Sequence, residues 1–162
     1  MKYPPGLRPE FERAMKLLLD EAKRVFRLDS IWTQHGPEHW QRVEKNAIML
    51  AADTPGCDLE VARAFAILHD CRRRNEGRDP RHGARAAEFA RQLYKRGMLP
   101  LEPERLALLM HAMSDHASGQ VSGDPTIGVC WDADRLDLPR VGTRPLIKLM
   151  STRAGKEHSR QV

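Results

Sequence analysis

Two adjacent residues with metal-binding side chains, His69 and Asp70, end an apolar segment that runs from Val61 to Leu68 and is interrupted by a single arginine. Polar and charged groups are costly in an apolar interior unless they are paired or bind a metal. His39 lies upstream, and residues 132–134 read Asp-Ala-Asp downstream. The simplest chemistry that gathers these side chains is a divalent metal site, since imidazole nitrogen and carboxylate oxygen together suit Mn, Fe, Ni, Co, Zn or Mg.

The remaining histidines lie mostly on expected helices or at their ends. His35 and His39 are four residues apart and share a helix face or the turn that leads into it. His82 falls on the first turn of an expected helix, where free N–H groups favour anions. His111 and His116 are roughly 140° apart on an ideal helix, so one site takes both only if the helix end bends. These last three histidines are candidates for a second metal or for binding a substrate phosphate.

Three late carboxylates fall on one short expected helix. Asp134 and Asp137 are three residues apart and can share a face, whereas Asp132 points away from Asp134. Only one of them is expected to complete the metal site. Asp137 fits equally a surface position or a pair with Arg135 or Arg140.

The composition indicates one helical domain. The chain has 162 residues, of which 41% are hydrophobic and only 6% aromatic, so Leu, Ala, Ile, Val and Met must fill the core. No apolar run reaches the roughly 18 residues of a membrane span, and the N-terminus lacks the apolar stretch of a signal peptide. The three cysteines form no CxxC pair, so disulfides are not expected. We expect a cytoplasmic protein.

The chain reads as helices separated by Pro and Gly, without strand alternation. Asp58 is an expected N-cap, and Asp79 with Pro80 is expected to start the fourth helix. We predict one domain over 1–162 with a core of about 8–151 and a frayed polar tail over 152–162. The helices are expected at about 9–27, 37–52, 58–70, 80–96, 102–116 and 126–137, with a short one at about 144–151.

Arginine is concentrated in residues 72–85, and the formal net charge is +5. A basic cluster attracts phosphate, on a small molecule or on nucleic acid. A solvated loop and helix start is the plain alternative, but beside a metal site we favour phosphate.

Three segments carry a family resemblance. HGPEHWQRV (35–43), AFAILHD (64–70) and DADRLD (132–137) resemble, in order, the motifs of the HD-domain superfamily of metal-dependent phosphohydrolases. The resemblance implies an all-α bundle of about six to seven helices. It also implies a metal held by His39, His69, Asp70 and Asp134. DPRHGARAA (79–87) and the downstream His116 are similar to a subset with extra histidines, some of which bind two metals.

One departure concerns proton transfer. Some nucleotidase members place a glutamate shortly after His-Asp as a catalytic acid or base, whereas this chain has Cys71 and then three arginines there. The resemblance therefore does not identify an acid or base.

The function that the resemblance implies is hydrolysis of a nucleotide or another small phosphate ester, with one or two divalent ions. Arg42 and Arg73 would neutralise charge on the substrate, and His35 would position a ligand without binding the metal. A di-iron oxygenase of the same superfamily is the first alternative. The second is a non-enzymatic module that binds a nucleotide or nucleic acid. Nucleic acid is not the expected partner because few aromatic residues accompany the arginines, and a homodimer is left open.

Overall fold

The computed structural model describes residues 8–29 and 31–162, which form seven α-helices and no strand. The predicted all-α class is therefore confirmed. Two short 3₁₀ helices, Leu138–Val141 and Ile147–Leu149, separate the last two α-helices. In chain order the α-helices are α1 (Pro9–Val25), α2 (Pro37–Ala52), α3 (Leu59–Leu68), α4 (His82–Lys95), α5 (Pro103–Asp115), α6 (Pro125–Arg135) and α7 (Arg153–Ser159).

Helix α3 lies at the centre of the bundle. Every residue from Glu60 to Leu68 is buried, and α1, α2, α4, α5 and α6 all pack against this helix. Arg63, the arginine within the apolar segment, is paired with Glu12 of α1 and donates from Nε to Glu44 of α2 at 2.8 Å. The end of α3, where His69 and Asp70 follow, is consequently surrounded by protein.

Local signals set most helix boundaries. Asp58 caps α3 as predicted, since its Oδ1 accepts a hydrogen bond from the Val61 amide at 3.1 Å. Proline stands in the first turn of α1, α2, α5 and α6, where its missing N–H costs nothing. Gly97, at φ +72°, turns the chain after α4.

The predicted start of α4 is wrong by two residues. The helix begins at His82, and Asp79 does not cap it. The Asp79 carboxylate instead accepts from the Arg74 amide at 2.8 Å and from the Arg85 guanidinium. The Asp79 carboxylate thus serves as the acceptor for the 72–79 loop and for Arg85, so tertiary pairing overrides the local capping signal.

The predictions for the C-terminal region are also wrong. The helix expected at about 144–151 is absent, and only the 3₁₀ turn at Ile147–Leu149 forms there. The tail expected to be frayed contains α7, which buries Ala154, Gly155 and Ser159. Its N-cap is Thr152, whose side chain accepts from the Gly155 amide at 2.8 Å.

Two further observations concern the whole chain. Within residues 8–29 and 31–162, no helix combines the length and the apolarity needed to cross a bilayer. All three cysteines are free, as expected.

Candidate metal centre

Four side chains from three parts of the chain converge at the end of α3. His39 comes from α2, His69 and Asp70 directly follow α3, and Asp134 comes from α6. Nε2 of His39 lies 3.2 Å from Nε2 of His69, 3.7 Å from Oδ2 of Asp70 and 3.2 Å from Oδ1 of Asp134. Nε2 of His69 lies 3.7 Å and 3.5 Å from the same two carboxylate oxygens. Ligands about 2.1 Å from one metal stand at such separations.

The outer nitrogens of these imidazoles are held by acceptors. Nδ1 of His69 lies 3.2 Å from the Phe65 carbonyl and 3.1 Å from that of Ala66, so it carries the proton. Nδ1 of His39 lies 2.7 Å from Oδ2 of Asp137. Such partners orient metal-binding histidines and leave the Nε2 lone pair free for a cation.

A second cluster adjoins the first on the other side of Asp70. Oδ1 of Asp70 lies 3.1 Å from Nε2 of His82 and 3.4 Å from Nε2 of His116, and the two nitrogens are 2.8 Å apart. Nδ1 of His82 donates to the Asp79 carbonyl, and Nδ1 of His116 donates to the Met113 carbonyl at 2.7 Å. Each Nε2 therefore presents a lone pair, and the two lone pairs repel each other unless a cation lies between them.

Asp70 joins the two clusters through its two oxygens. It is buried, and its Oδ1 accepts no hydrogen bond from the described residues. Burial opposes its ionisation, but the surrounding imidazoles of His69, His116, His35 and His82 hold the pKa of Asp70 well below its usual value. An ionised carboxylate with an unpartnered buried oxygen fits metal binding on both sides.

The electrostatics of His39 and Asp134 also favour a cation at this site. Burial alone lowers the pKa of this imidazole, but the carboxylates of Asp134 and Asp137 raise it above the usual value. Burial likewise opposes ionisation of Asp134, whereas His39 and His69 hold the pKa of this carboxyl well below its usual value. The pocket therefore stabilises positive charge, for which a metal ion and a proton compete.

Two helices approach closely to build the second cluster. A Cβ at Gly83 would stand 2.3 Å from the Met113 carbonyl oxygen and 3.2 Å from Nδ1 of His116. Only glycine allows α4 and α5 to meet this closely, and their contact brings His82 to His116.

The structure shows which of His111 and His116 joins the second cluster, a choice that their spacing in the sequence left open. His116 joins the second cluster because it lies just past the end of α5, where it turns inward. His111 does not join: its side chain is 57% exposed and its Nε2 lies 3.2 Å from Asp115 Oδ2. The expectation that His111 contributes to the site is therefore wrong.

The other expected residues fall around the clusters. His35 lies beside Asp70, with Nδ1 3.1 Å from Oδ2. Arg42 does not reach the cavity; its Nε donates to Asp137 Oδ1 at 2.8 Å and so supports His39 from outside. The direct substrate contact expected of Arg42 does not fit this placement.

A cavity of about 340 Å³ opens onto both clusters. Asp70, His82, His116 and Asp134 line its inner end. Arg73, which was predicted to bind substrate, also lines it; Nε of Arg73 is buried without a hydrogen-bond partner among the described residues and lies 3.6 Å from Asp70 Oδ1.

The outer wall of the cavity comes from the segment after α6, which the sequence analysis did not assign to the site. It supplies apolar Leu138, Val141 and Leu146 and the guanidiniums of Arg140 and Arg144. The arginines and apolar residues that directly follow DADRLD were the sequence signal from which this wall could have been predicted.

One of three comparisons with known proteins supports this fold. A scan against protein-family models and a search of curated proteins found no match. Among solved structures, the chain is similar to the crystal structure, at 1.45 Å resolution, of a predicted HD superfamily hydrolase from an uncultured Thermotogales bacterium. The identity is 26%, the match covers 90% of this chain and 83% of that chain, and the TM-score is 0.69. The fold of this chain is therefore the HD-domain fold that its motifs indicated.

Proposed function

We propose that this protein is a metal-dependent phosphohydrolase that acts on a nucleotide or another small phosphate ester. The observation that carries the proposal is the convergence of His39, His69, Asp70 and Asp134, with separations of 3.2–3.7 Å from the two Nε2 atoms. The similar crystal structure is that of a predicted hydrolase, which supports hydrolysis as the class of reaction.

His39, His69, Asp70 and Asp134 would hold one divalent ion, and Asp70, His82 and His116 would hold a second. When bound, such ions lower the pKa of a coordinated water and polarise a phosphoryl oxygen. The mixed nitrogen and oxygen donors suit Mn, Fe, Ni, Co, Zn or Mg.

The remaining cavity residues would bind and orient the substrate. Arg73 presents a buried N–H close to Asp70, where a guanidinium neutralises charge on the transferring phosphoryl group. Arg140 is held by the Gln34 carbonyl, to which its Nε donates at 2.7 Å. Leu138 and Leu146 provide an apolar wall for the organic part of the ester and exclude water from it.

Metal analysis combined with phosphate release tests the proposal. The protein would be loaded in turn with each divalent ion and assayed with p-nitrophenyl phosphate and with nucleoside mono-, di- and triphosphates. We expect bound metal and metal-dependent phosphate release, both lost in His69→Asn and retained in His111→Asn. A protein that retains none of these ions and releases no phosphate would rule the proposal out.

The six converging donors favour one second candidate, a di-iron oxygenase. Asp70 belongs to both groups of converging donors, so the two groups would hold two iron ions with Asp70 as a shared residue. Iron-dependent consumption of dioxygen, without phosphate release under any divalent ion, would favour this candidate over hydrolysis.

A further inference from the structure

An arginine-lined groove lies beside the cavity of the metal centre and adjoins it at Arg73, which lines both. Two adjoining cavities of about 420 Å³ and 340 Å³ share Val25, Arg72 and Arg85 in their walls. Together they are lined by seven arginines and one carboxylate, that of Glu88. The arginines come from the end of α1, from the loop between α3 and α4, and from α4.

Most of this positive charge has no internal partner. Among residues 8–29 and 31–162, no carboxylate lies within 4.0 Å of the guanidinium of Arg27, Arg72, Arg74 or Arg81. Glu88, the carboxylate in the wall, pairs with Arg91. Folding thus gathers like charges whose repulsion destabilises the chain until an anion enters.

The groove is held in shape by its own hydrogen bonds. Arg85 donates from Nε and Nη2 to the Arg72 carbonyl at 3.2 Å and 3.1 Å and also pairs with Asp79. The Asp79 carboxylate accepts from the Arg74 amide as well. The Arg72 guanidinium lies over the Phe89 ring, 5.8 Å from its centroid. The backbone at Arg72 and Arg74 and the Arg72 side chain are therefore held in place before any ligand binds.

We propose that this groove is a binding site for an oligophosphate, distinct from the metal centre that it adjoins at Arg73. Guanidiniums bind phosphate oxygens through two parallel hydrogen bonds, and four unpaired ones match several negative charges rather than one. Phe89 is buried beneath Arg72, so it offers no exposed ring on which a base could stack. The ligand is recognised through its phosphates, so inorganic triphosphate and a nucleoside triphosphate both supply the required group.

Calorimetric titration tests whether the phosphates alone are recognised. We expect inorganic triphosphate and ATP to bind with similar affinity, and AMP and adenosine to bind far more weakly. Arg27→Gln combined with Arg74→Gln removes two exposed guanidiniums of one cavity and should weaken triphosphate binding roughly 100-fold, about tenfold for each. Arg13→Gln with Arg160→Gln removes the same charge elsewhere and should leave the affinity unchanged.

The metal centre must be excluded as the binding place. Asp134→Asn, which alters that centre, should leave triphosphate binding intact. Loss of binding in Asp134→Asn, together with full binding in the double groove variant, would place the anion at the metal centre and overturn the proposal.

Two other results would also overturn it. Equal weakening in the groove variant and in its charge-matched control would indicate attraction by overall charge only. Affinity for single-stranded RNA that rises with length and exceeds the affinity for triphosphate would assign the face to nucleic acid. Phosphohydrolase activity is a separate measurement, so failure of the proposed function and failure of the proposed groove site can be told apart.

Discussion

Asp132 and Asp134 stand two residues apart on α6 and have opposite surroundings. Asp134 faces His39 and His69 at the metal centre. Asp132 is fully buried on the other side of the helix and accepts from the Ser151 amide at 2.7 Å and the Thr152 amide at 2.8 Å. One carboxylate therefore faces the candidate metal centre, and the other joins α6 to the C-terminal segment.

Substitution by Asn should separate these roles. Asp134→Asn should lower metal affinity and phosphate release about 100-fold or more, since it removes a charged donor at the cluster. Asp132→Asn should lower the free energy of unfolding by about 1–3 kcal/mol and leave metal content unchanged, because it disrupts hydrogen bonds to a buried charge. Metal analysis and urea denaturation provide the two measurements. Equal metal loss in both variants would contradict the assignment.

The two histidines near the end of α5 allow a similar comparison. His116→Asn should reduce the number of ions bound per chain, because Nε2 of His116 faces His82 and Asp70. His111→Asn changes an exposed side chain and should alter stability by less than about 0.5 kcal/mol. The readout is metal stoichiometry after dialysis. An unchanged stoichiometry in His116→Asn would remove His116 from the metal ligands.

At the scale of elements, charged side chains tie α1 and α5 to the start of α3. Arg105 of α5 donates from Nε to Asp58 at 2.6 Å and from Nη2 to Glu60 at 2.8 Å. Glu60 is buried and also pairs with Arg8. Burial opposes the ionisation of Asp58 and Glu60, but their hydrogen bonds with the arginines lower the pKa of both carboxyls below the usual value.

This network predicts a pH-dependent stability. A carboxyl whose pKa is lowered by folding stabilises the protein above its unfolded pKa of about 4 and loses this contribution as the pH falls through the folded value. Arg105→Gln should cost about 2 kcal/mol at pH 7 and progressively less below about pH 4. Denaturant titrations across pH measure the difference, with the exposed Arg153→Gln as control. A penalty that does not change with pH would contradict this origin.

At the scale of the whole molecule, the C-terminal segment is part of the packed structure. Asp132 accepts hydrogen bonds from the amides and the Thr152 hydroxyl of this segment. A Cβ at Gly155 would stand 2.1 Å from Asp132 Oδ2, so α7 lies directly against α6. The segment that begins α7 thus completes the environment of a buried charge.

Deletion of residues 151–162 should therefore destabilise the protein by about 3 kcal/mol or more, since it leaves the Asp132 carboxylate without donors. Deletion of 161–162 alone removes exposed residues and should change stability little. Thermal unfolding of both truncated chains tests this. Equal melting temperatures would mean that α7 contributes nothing to the fold.

Short-range features of the sequence determined the helical fold and the residues that gather at its centre. The predicted bounds of α2 agree with the structure, because Pro37 starts the helix and Thr54 to Gly56 end it within a few residues. The motifs around His39, His69 and Asp134 predicted a metal site, since imidazole and carboxylate groups are rare in an apolar setting without a function. The choice of Asp134 among the three late carboxylates came from the family resemblance.

Only the tertiary structure decided the choice of His116 over His111, the structural role of Asp132, the ordering of α7 and the arginine wall of the cavity. Each depends on a contact between residues far apart in the chain, such as Asp132 with Thr152 or Gly83 with Met113. Helix periodicity and capping are encoded within about four residues. The direction in which a side chain leaves a helix end, and what it meets there, depends on how whole helices pack.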